Sequence, residues 1–161
     1  MSDRTVLQAL SPDMRDFLAL LVRHEVRFAV CGGFAVSFHG FIRATMDLDV
    51  LVYPSAGNAR RLMHALDAFG FGRAGIEERA FLAPGTAVTL GAQPNQIDIL
   101  TSMSSADADS IFADIIEADL WGLHIPVVSR RALLNAKRES ARPKDRIDYE
   151  ELLRIGEIDK R

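Results

Sequence analysis

The sequence predicts a mixed α/β (α+β) fold, in which helices pack on a small mixed β-sheet and a basic helical pair forms the carboxy-terminal end. Two observations support this prediction. Short apolar runs typical of buried strands alternate with segments in which apolar residues recur every three or four positions, as on one face of a helix. The chain has 161 residues, 48% of them hydrophobic, so it can bury a core of its own, and we expect one domain over 1–161.

Start and stop residues place the individual elements. Ser11-Pro12 combines a capping hydroxyl with a proline at the first helical position, Gly32-Gly33 stops a buried strand, and Arg142-Pro143 separates two helical segments. In chain order we predict a helix after Ser11, a strand at 27–31, a short helix at 34–40, a strand at 45–52, a helix at 55–69, β-leaning runs at 79–82, 87–91 and 96–100, a helix at 107–120, a strand at 123–128, and two helices from Ser129 to Gly156.

Composition excludes several classes of protein. A formal net charge of −3 argues against a chain that binds nucleic acid or an anionic membrane over its whole surface. The single cysteine, Cys31, cannot form an internal disulfide and is expected to be a small core residue. No apolar segment approaches the ~20 residues of a membrane span, and the amino terminus does not resemble a signal peptide, so we expect a cytoplasmic protein with no membrane partner.

Positive charge is concentrated near the carboxy terminus. Between Ser129 and Arg146, seven basic side chains face two acidic ones, although the chain as a whole is acidic. Most charge clusters of this kind are solvated helix faces, and that interpretation of Lys137, Arg142 and Lys144 stays open beside a phosphate-binding one.

Two aspartates stand inside a predicted strand, where aspartate is disfavoured. Asp47 and Asp49 are two residues apart, so their side chains point to the same face of the strand. Their repulsion favours either a raised pKa or a bound cation, and hard carboxylate oxygens suit Mg²⁺. Asp98, in another apolar run, could join them at one end of the sheet and complete the ligand set for two-metal phosphoryl or nucleotidyl transfer. An exposed acidic pair on an edge strand is the alternative.

The glycine pair adds a second element of a phosphate site. Without Cβ atoms, Gly32 and Gly33 let the backbone turn sharply and approach a ligand, and the helix after them directs free N–H groups toward it. Neither standard phosphate-binding fingerprint is present. A glycine pair alone is weak evidence for a phosphate site, but a D-x-D motif this soon after it in the chain makes the evidence strong.

These motifs resemble a known family. "GGFAVSFHGFIRATMDLDVLV" is similar to the G-G…D-x-D signature of the DNA-polymerase-β-like nucleotidyltransferase superfamily, and in particular to its minimal bacterial members, which include the toxins of type IV toxin–antitoxin pairs. "AKRESARPKDRIDYEELL" resembles the lysine and R-P-K-D-x-x-D that end those proteins. The resemblance runs from about Phe28 to Leu153 and implies a nucleotidyltransferase fold.

The resemblance also implies roles for individual residues. Gly32 and Gly33 are expected to contact phosphates, and Asp47 and Asp49 to bind two Mg²⁺ ions. Asp98 is expected to be the third catalytic carboxylate and a metal ligand, and Lys137 and Arg142 to contact the triphosphate. For Arg43, a nucleotide phosphate contact and a structural ion pair with Asp47 or Asp49 are both open. His39 is expected to cap or pack more than to catalyse.

The predicted reaction is Mg²⁺-dependent transfer of a nucleoside monophosphate from an NTP to an acceptor hydroxyl. A tRNA end or a protein acceptor, with an antitoxin partner, fits the toxin-like members. A small-molecule acceptor of the aminoglycoside type is the alternative, and the modest chain length with no separate acceptor domain argues mildly against it. A nucleotide-binding or partner-binding pseudoenzyme is the rival from another class, although the expected carboxylates are all present.

Overall fold

Six strands form one mixed sheet in the computed structural model, which describes residues 9–160. The strands are β1 (Phe28–Cys31), β2 (Asp47–Val52), β3 (Ala87–Leu90), β4 (Gln96–Leu100), β5 (Ile116–Leu120) and β6 (Leu123–Val127). The α-helices of the described range are α1 (Pro12–Arg23), α2 (Gly32–Phe38), α3 (Ala56–Ala68), α4 (Ala108–Phe112), α5 (Arg130–Glu139) and α6 (Pro143–Ile158). The predicted mixed α/β fold is confirmed. The first eight residues, which entered the signal-peptide prediction, lie outside the described range.

The strand order places β2 near the middle of the sheet. Across the sheet the order is β3-β4-β2-β1-β6-β5. Strand β2 runs parallel to β4 and antiparallel to β1, so Asp49 lies opposite Asp98 on one side and opposite Cys31 on the other. This register brings the glycine pair, the D-x-D motif and the third aspartate to one end of the sheet.

Apolar periodicity explains how the helices cover the sheet. All four residues of β1 are buried, as expected for a central strand, and α1 buries the helical stripe formed by Met14, Phe17, Leu18 and Leu21. Ser11, Ser55 and Ser129 each begin a helix, because their hydroxyls accept a hydrogen bond from the backbone N–H three residues later. These predicted helix starts are confirmed.

The carboxy-terminal helices form the predicted pair, and the break falls at Arg142-Pro143. The predicted end at Gly156 is wrong, because α6 continues to Ile158. Gly156 is buried inside the helix, and a Cβ there would overlap the guanidinium of Arg130. The space at this glycine is occupied by the Arg130 guanidinium, which packs between the two helices.

Three other predictions differ from the structure. The run at 79–82 lies in a 3₁₀ turn (Glu78–Phe81) that buries only Phe81 in the core. The helix predicted at 107–120 ends at Phe112, since Ile116–Leu120 pairs with β6 through the turn at Trp121-Gly122. The helix predicted at 34–40 instead begins at Gly32. In 107–120 strand pairing overrides a weak local preference for helix.

Within residues 9–160, none of the helices is long and apolar enough to cross a membrane.

Candidate active site

A cavity of about 440 Å³ lies where the ends of β1, β2 and β4 face the α5–α6 pair. Its lining includes every residue that the sequence predicted for the site. These are Gly32, Gly33, Arg43, Asp47, Asp49, Asp98, Lys137 and Arg142. Segments far apart in the chain thus converge on one cleft with carboxylates on one wall and basic groups on another.

The D-x-D pair sits at the start of β2. Leu48, between the two aspartates, is fully buried on the opposite face of the sheet, so Asp47 and Asp49 share the cavity face as strand geometry predicts. The Oδ1 atom of Asp47 is buried and has no hydrogen-bond partner among residues 9–160. An unpaired buried carboxylate oxygen is costly, and a cation is the partner that would satisfy it.

Asp49 lies in a strongly acidic environment. Burial raises its pKa to about 6, with further contributions from the charges of Asp98 and Asp47, while Lys137 and Lys144 act in the opposite direction. A carboxylate in this setting gains from a positive charge placed beside it, because the cation offsets both desolvation and repulsion.

Asp98 is held by its own neighbours. Its Oδ1 accepts a hydrogen bond from Thr89 Oγ1 at 2.6 Å, and its two oxygens lie 3.2 and 3.1 Å from Gln96 Nε2. These contacts fix the carboxylate in the cavity wall next to Asp49. Its predicted role as a third metal ligand stays a prediction.

The glycine pair makes room for the acidic wall. Gly32 has a φ of +63°, and a Cβ there would overlap the Asp49 carboxylate. A Cβ at Gly33 would lie 2.7 Å from Thr45 Oγ1 and 3.3 Å from Arg43 Nη1. Side chains at these positions would fill the space between the α2 backbone and the D-x-D strand, so both glycines are required by close approach.

The opposite wall contains a buried ionic cluster. Lys137 Nζ lies 2.7 Å from Asp145 Oδ1 and 3.0 Å from Asp148 Oδ2, and both carboxylates are almost fully buried. Arg43 binds Asp148 through two parallel contacts, Nε to Oδ1 at 2.8 Å and Nη2 to Oδ2 at 2.9 Å. The structural partner of Arg43 is thus Asp148, and the ion pair considered with Asp47 or Asp49 is wrong.

Asp145 is the second centre of this cluster. Burial alone would raise its pKa, but hydrogen bonds from Lys137, Ser140 and Arg142 and the positive charge of Lys137 outweigh burial and hold the pKa at about 2. Arg142 contacts Asp145 through Nε at 2.7 Å while its side chain stays 79% exposed. Asp145 therefore remains ionised at neutral pH and holds two cations in place.

Other predicted residues have structural environments. His39 Nε2 lies 2.8 Å from the carbonyl oxygen of Val128 and His39 is the carboxy-terminal cap of α2, as expected for a capping or packing residue. Cys31 is buried at the end of β1, and this burial, with the nearby Asp49, raises the pKa of its thiol. Its prediction as a core residue is confirmed.

The residues present fit a magnesium ion bound by two carboxylates. Asp47 offers a buried unpaired oxygen, and Asp49 gains from a nearby cation. Mg²⁺ is usually held by one or two carboxylates together with substrate phosphates, so this pair suffices without a full protein cage. No group of three or more His, Cys, Asp or Glu side chains within residues 9–160 is arranged to hold a metal by itself.

Two residues of the cavity region were missed by sequence reasoning. Asp148 was not assigned a role, although it is the last acid of R-P-K-D-x-x-D and one turn after Asp145 on α6. Lys144 lines the cavity, but the sequence left a solvated face and a phosphate contact both open for it and gave it no place among the predicted site residues. Its position between Pro143 and Asp145 in the motif was the available signal.

Comparison with known proteins yields a structural match. No family model matches the chain, and no curated protein matches it either. A crystal structure of the lincosamide antibiotic adenylyltransferase LnuA, bound to lincomycin, superposes with a TM-score of 0.54 at 13% sequence identity, covering 91% of this chain and 98% of that chain. At this identity the likeness concerns the fold. It supports the predicted nucleotidyltransferase fold and does not extend to the type IV toxin grouping.

Proposed function

We propose that this chain is a Mg²⁺-dependent nucleotidyltransferase that moves a nucleoside monophosphate from an NTP to an acceptor hydroxyl. One observation carries the proposal: an acidic pair with an unpaired buried oxygen faces a glycine-lined turn and a basic wall across one cavity. This arrangement suits a polyphosphate with a metal on one side and cations on the other. The nucleotidyltransferase fold of the structural neighbour supports the same reaction class.

Each group then has a proposed part in the reaction. Asp47 and Asp49 would hold Mg²⁺, and Gly32 and Gly33 would let phosphate oxygens approach the backbone of α2. The acceptor oxygen forms a bond to the α-phosphorus, the bond between that phosphorus and the bridging oxygen of the β-phosphate breaks, and pyrophosphate leaves. Asp98, fixed beside Asp49, would accept the hydroxyl proton or ligate a second ion.

Magnesium, when bound, would lower the pKa of the attacking hydroxyl and neutralise phosphate charge. The basic wall formed by Arg43, Lys137, Arg142 and Lys144 adds positive potential on the side where negative charge grows on the leaving pyrophosphate. Carboxylates and cations on opposite walls orient the triphosphate between them.

For the acceptor, we propose a small molecule as the first candidate. The neighbour acts on a lincosamide antibiotic, and the match takes in 98% of its chain and 91% of this one. A nucleotidyltransferase of this fold can thus serve a small acceptor without a large additional domain. The argument from modest chain length against a small acceptor therefore loses its weight.

The second candidate acceptor is a tRNA or a protein, and with it we expect an antitoxin partner. The observation that favours a polyanionic acceptor is a set of exposed basic side chains around the end of α5 and the start of α6. These are Arg138, Arg142 and Lys144. Such a surface attracts phosphate backbones irrespective of sequence.

The proposal is tested with NTPs labelled at either the α- or the γ-phosphorus. Each of the four NTPs is incubated with Mg²⁺ and with the small-molecule or the macromolecular fraction of a cell extract. We expect the α-label to enter an acceptor and the γ-label to appear in pyrophosphate, with both lost in Asp47→Asn. The labelled fraction identifies the acceptor class. Transfer of the γ-label to an acceptor, or no α-label transfer in either fraction, would contradict the proposal.

A further inference from the structure

The R-P-K-D-x-x-D motif and the lysine before it build an ionic cluster that largely satisfies itself. We call it the tail cluster and define it as Arg43, Lys137, Arg142, Asp145 and Asp148. Its two carboxylates are 3% and 1% exposed and are contacted by all three cations. The cluster joins α5, α6 and the segment before β2.

The ammonium group of Lys137 is already engaged in ion pairs within this cluster. Its side chain is only 11% exposed, and its ammonium group faces two carboxylates at 2.7 and 3.0 Å. A lysine has three N–H donors, so two of them already have charged acceptors. Moving Lys137 toward a ligand would break both contacts and leave Asp145 and Asp148 with one cation each, which costs stability because both acids are buried.

Lys144 has the opposite character. It is exposed, it lines the cavity, and within residues 9–160 it forms no ion pair. Its backbone is nevertheless well placed, because it lies between Pro143, at the first position of α6, and the buried, anchored Asp145. A long cation on a fixed backbone can reach a ligand without breaking any contact.

We infer that Lys144 is the lysine that binds the polyphosphate of the nucleotide directly, and that Lys137 is a positioning residue that holds the α5–α6 pair in place. This inference rests on the proposed function and deepens it. The residues of the carboxy-terminal motif thus have two different roles. Lys137, Asp145 and Asp148 fix the wall, and Lys144 projects from the wall with its donors free for the β- and γ-phosphate oxygens.

The test compares charge removal at Lys144 with the same change elsewhere on α6. Affinities for each Mg²⁺–NTP and for the matching monophosphate are measured in wild type, Lys144→Gln, Lys144→Arg and Arg146→Gln. Arg146 is the control because it is exposed, lies outside the cavity and pairs with Glu150. Lys144→Gln should weaken triphosphate binding roughly 10- to 100-fold, the size of a lost hydrogen bond to a charged group, with unchanged monophosphate binding and melting temperature.

Lys144→Arg should restore most of the triphosphate affinity, and Arg146→Gln should bind like wild type. Lys137→Met should instead lower the melting temperature. Wild-type triphosphate affinity in Lys144→Gln overturns the inference while leaving the proposed function standing. The inference is also overturned if Lys137→Met selectively loses triphosphate binding without a fall in melting temperature. If wild type binds no NTP with Mg²⁺, the proposed function fails, and this inference fails with it.

Discussion

Asp49 is the acidic residue of the site whose ionised form is most disfavoured by its surroundings in the folded protein. Burial together with the charges of Asp98 and Asp47 raises its pKa to about 6, from an ordinary value of 3.8. Because the folded protein binds this proton more tightly than the unfolded chain, Asp49 favours folding below the ordinary pKa. That contribution is lost as the pH rises through the folded pKa. At neutral pH without metal, an ionised Asp49 therefore costs stability.

Replacing Asp49 with asparagine removes this cost. In EDTA, Asp49→Asn should be more stable than wild type at about pH 7.5, on the order of 2 kcal/mol, and the advantage should shrink at about pH 4.5, where Asp49 is protonated. Thermal melts at the two pH values measure it. Glu157→Gln, which removes an exposed carboxylate of α6 outside the cavity, is the control. A destabilised Asp49→Asn at the higher pH would contradict the electrostatic account.

At the scale of elements, the tail cluster ties the segment before β2 to the helical pair. Arg43 is 16% exposed and makes two contacts with Asp148, which is 1% exposed. A bidentate arginine–carboxylate pair fixes both position and orientation. The wall that carries Lys144 is thus braced against the loop that leads into the D-x-D strand.

Breaking this brace should be costly. Arg43→Met should lower the free energy of unfolding by about 3–5 kcal/mol, since it removes one partner of a buried pair. Arg154→Met, which removes an exposed arginine paired with Glu151 on the same helix, should cost about 0–1 kcal/mol. Urea unfolding of both variants provides the comparison. Equal and small losses would mean that the Arg43–Asp148 pair does not brace the wall.

Sequence predicted those elements whose signals are local. Capping serines and apolar stripes located α1, α3 and α5, and strand alternation placed both aspartates of β2 on one face. Strand β5 was predicted as helix, because its assignment depends on pairing with β6, which is tertiary information. The predicted end at Gly156 failed for a related reason: that glycine accommodates Arg130 of another helix.

At the scale of the whole molecule, the sheet order assembles the cavity. Strand β2 lies between β1 and β4, so Gly32, Asp49 and Asp98 meet although the chain between them is long. Sequence could identify these residues through their motifs. It could not reveal that Lys137 is engaged by Asp145 and Asp148 while Lys144 stays free, because this depends on how α6 packs beside α5.

The most direct test of the central claim is the metal dependence of nucleotide binding in wild type and in Asp47→Asn/Asp49→Asn. Binding of each of the four NTPs is titrated with Mg²⁺ and with EDTA. The account predicts that wild type binds at least one NTP much more tightly with Mg²⁺, and that the double variant, still folded by its melting curve, loses this difference. Magnesium-independent binding by wild type, or a Mg²⁺ effect that survives in the double variant, would contradict the assignment of the two aspartates.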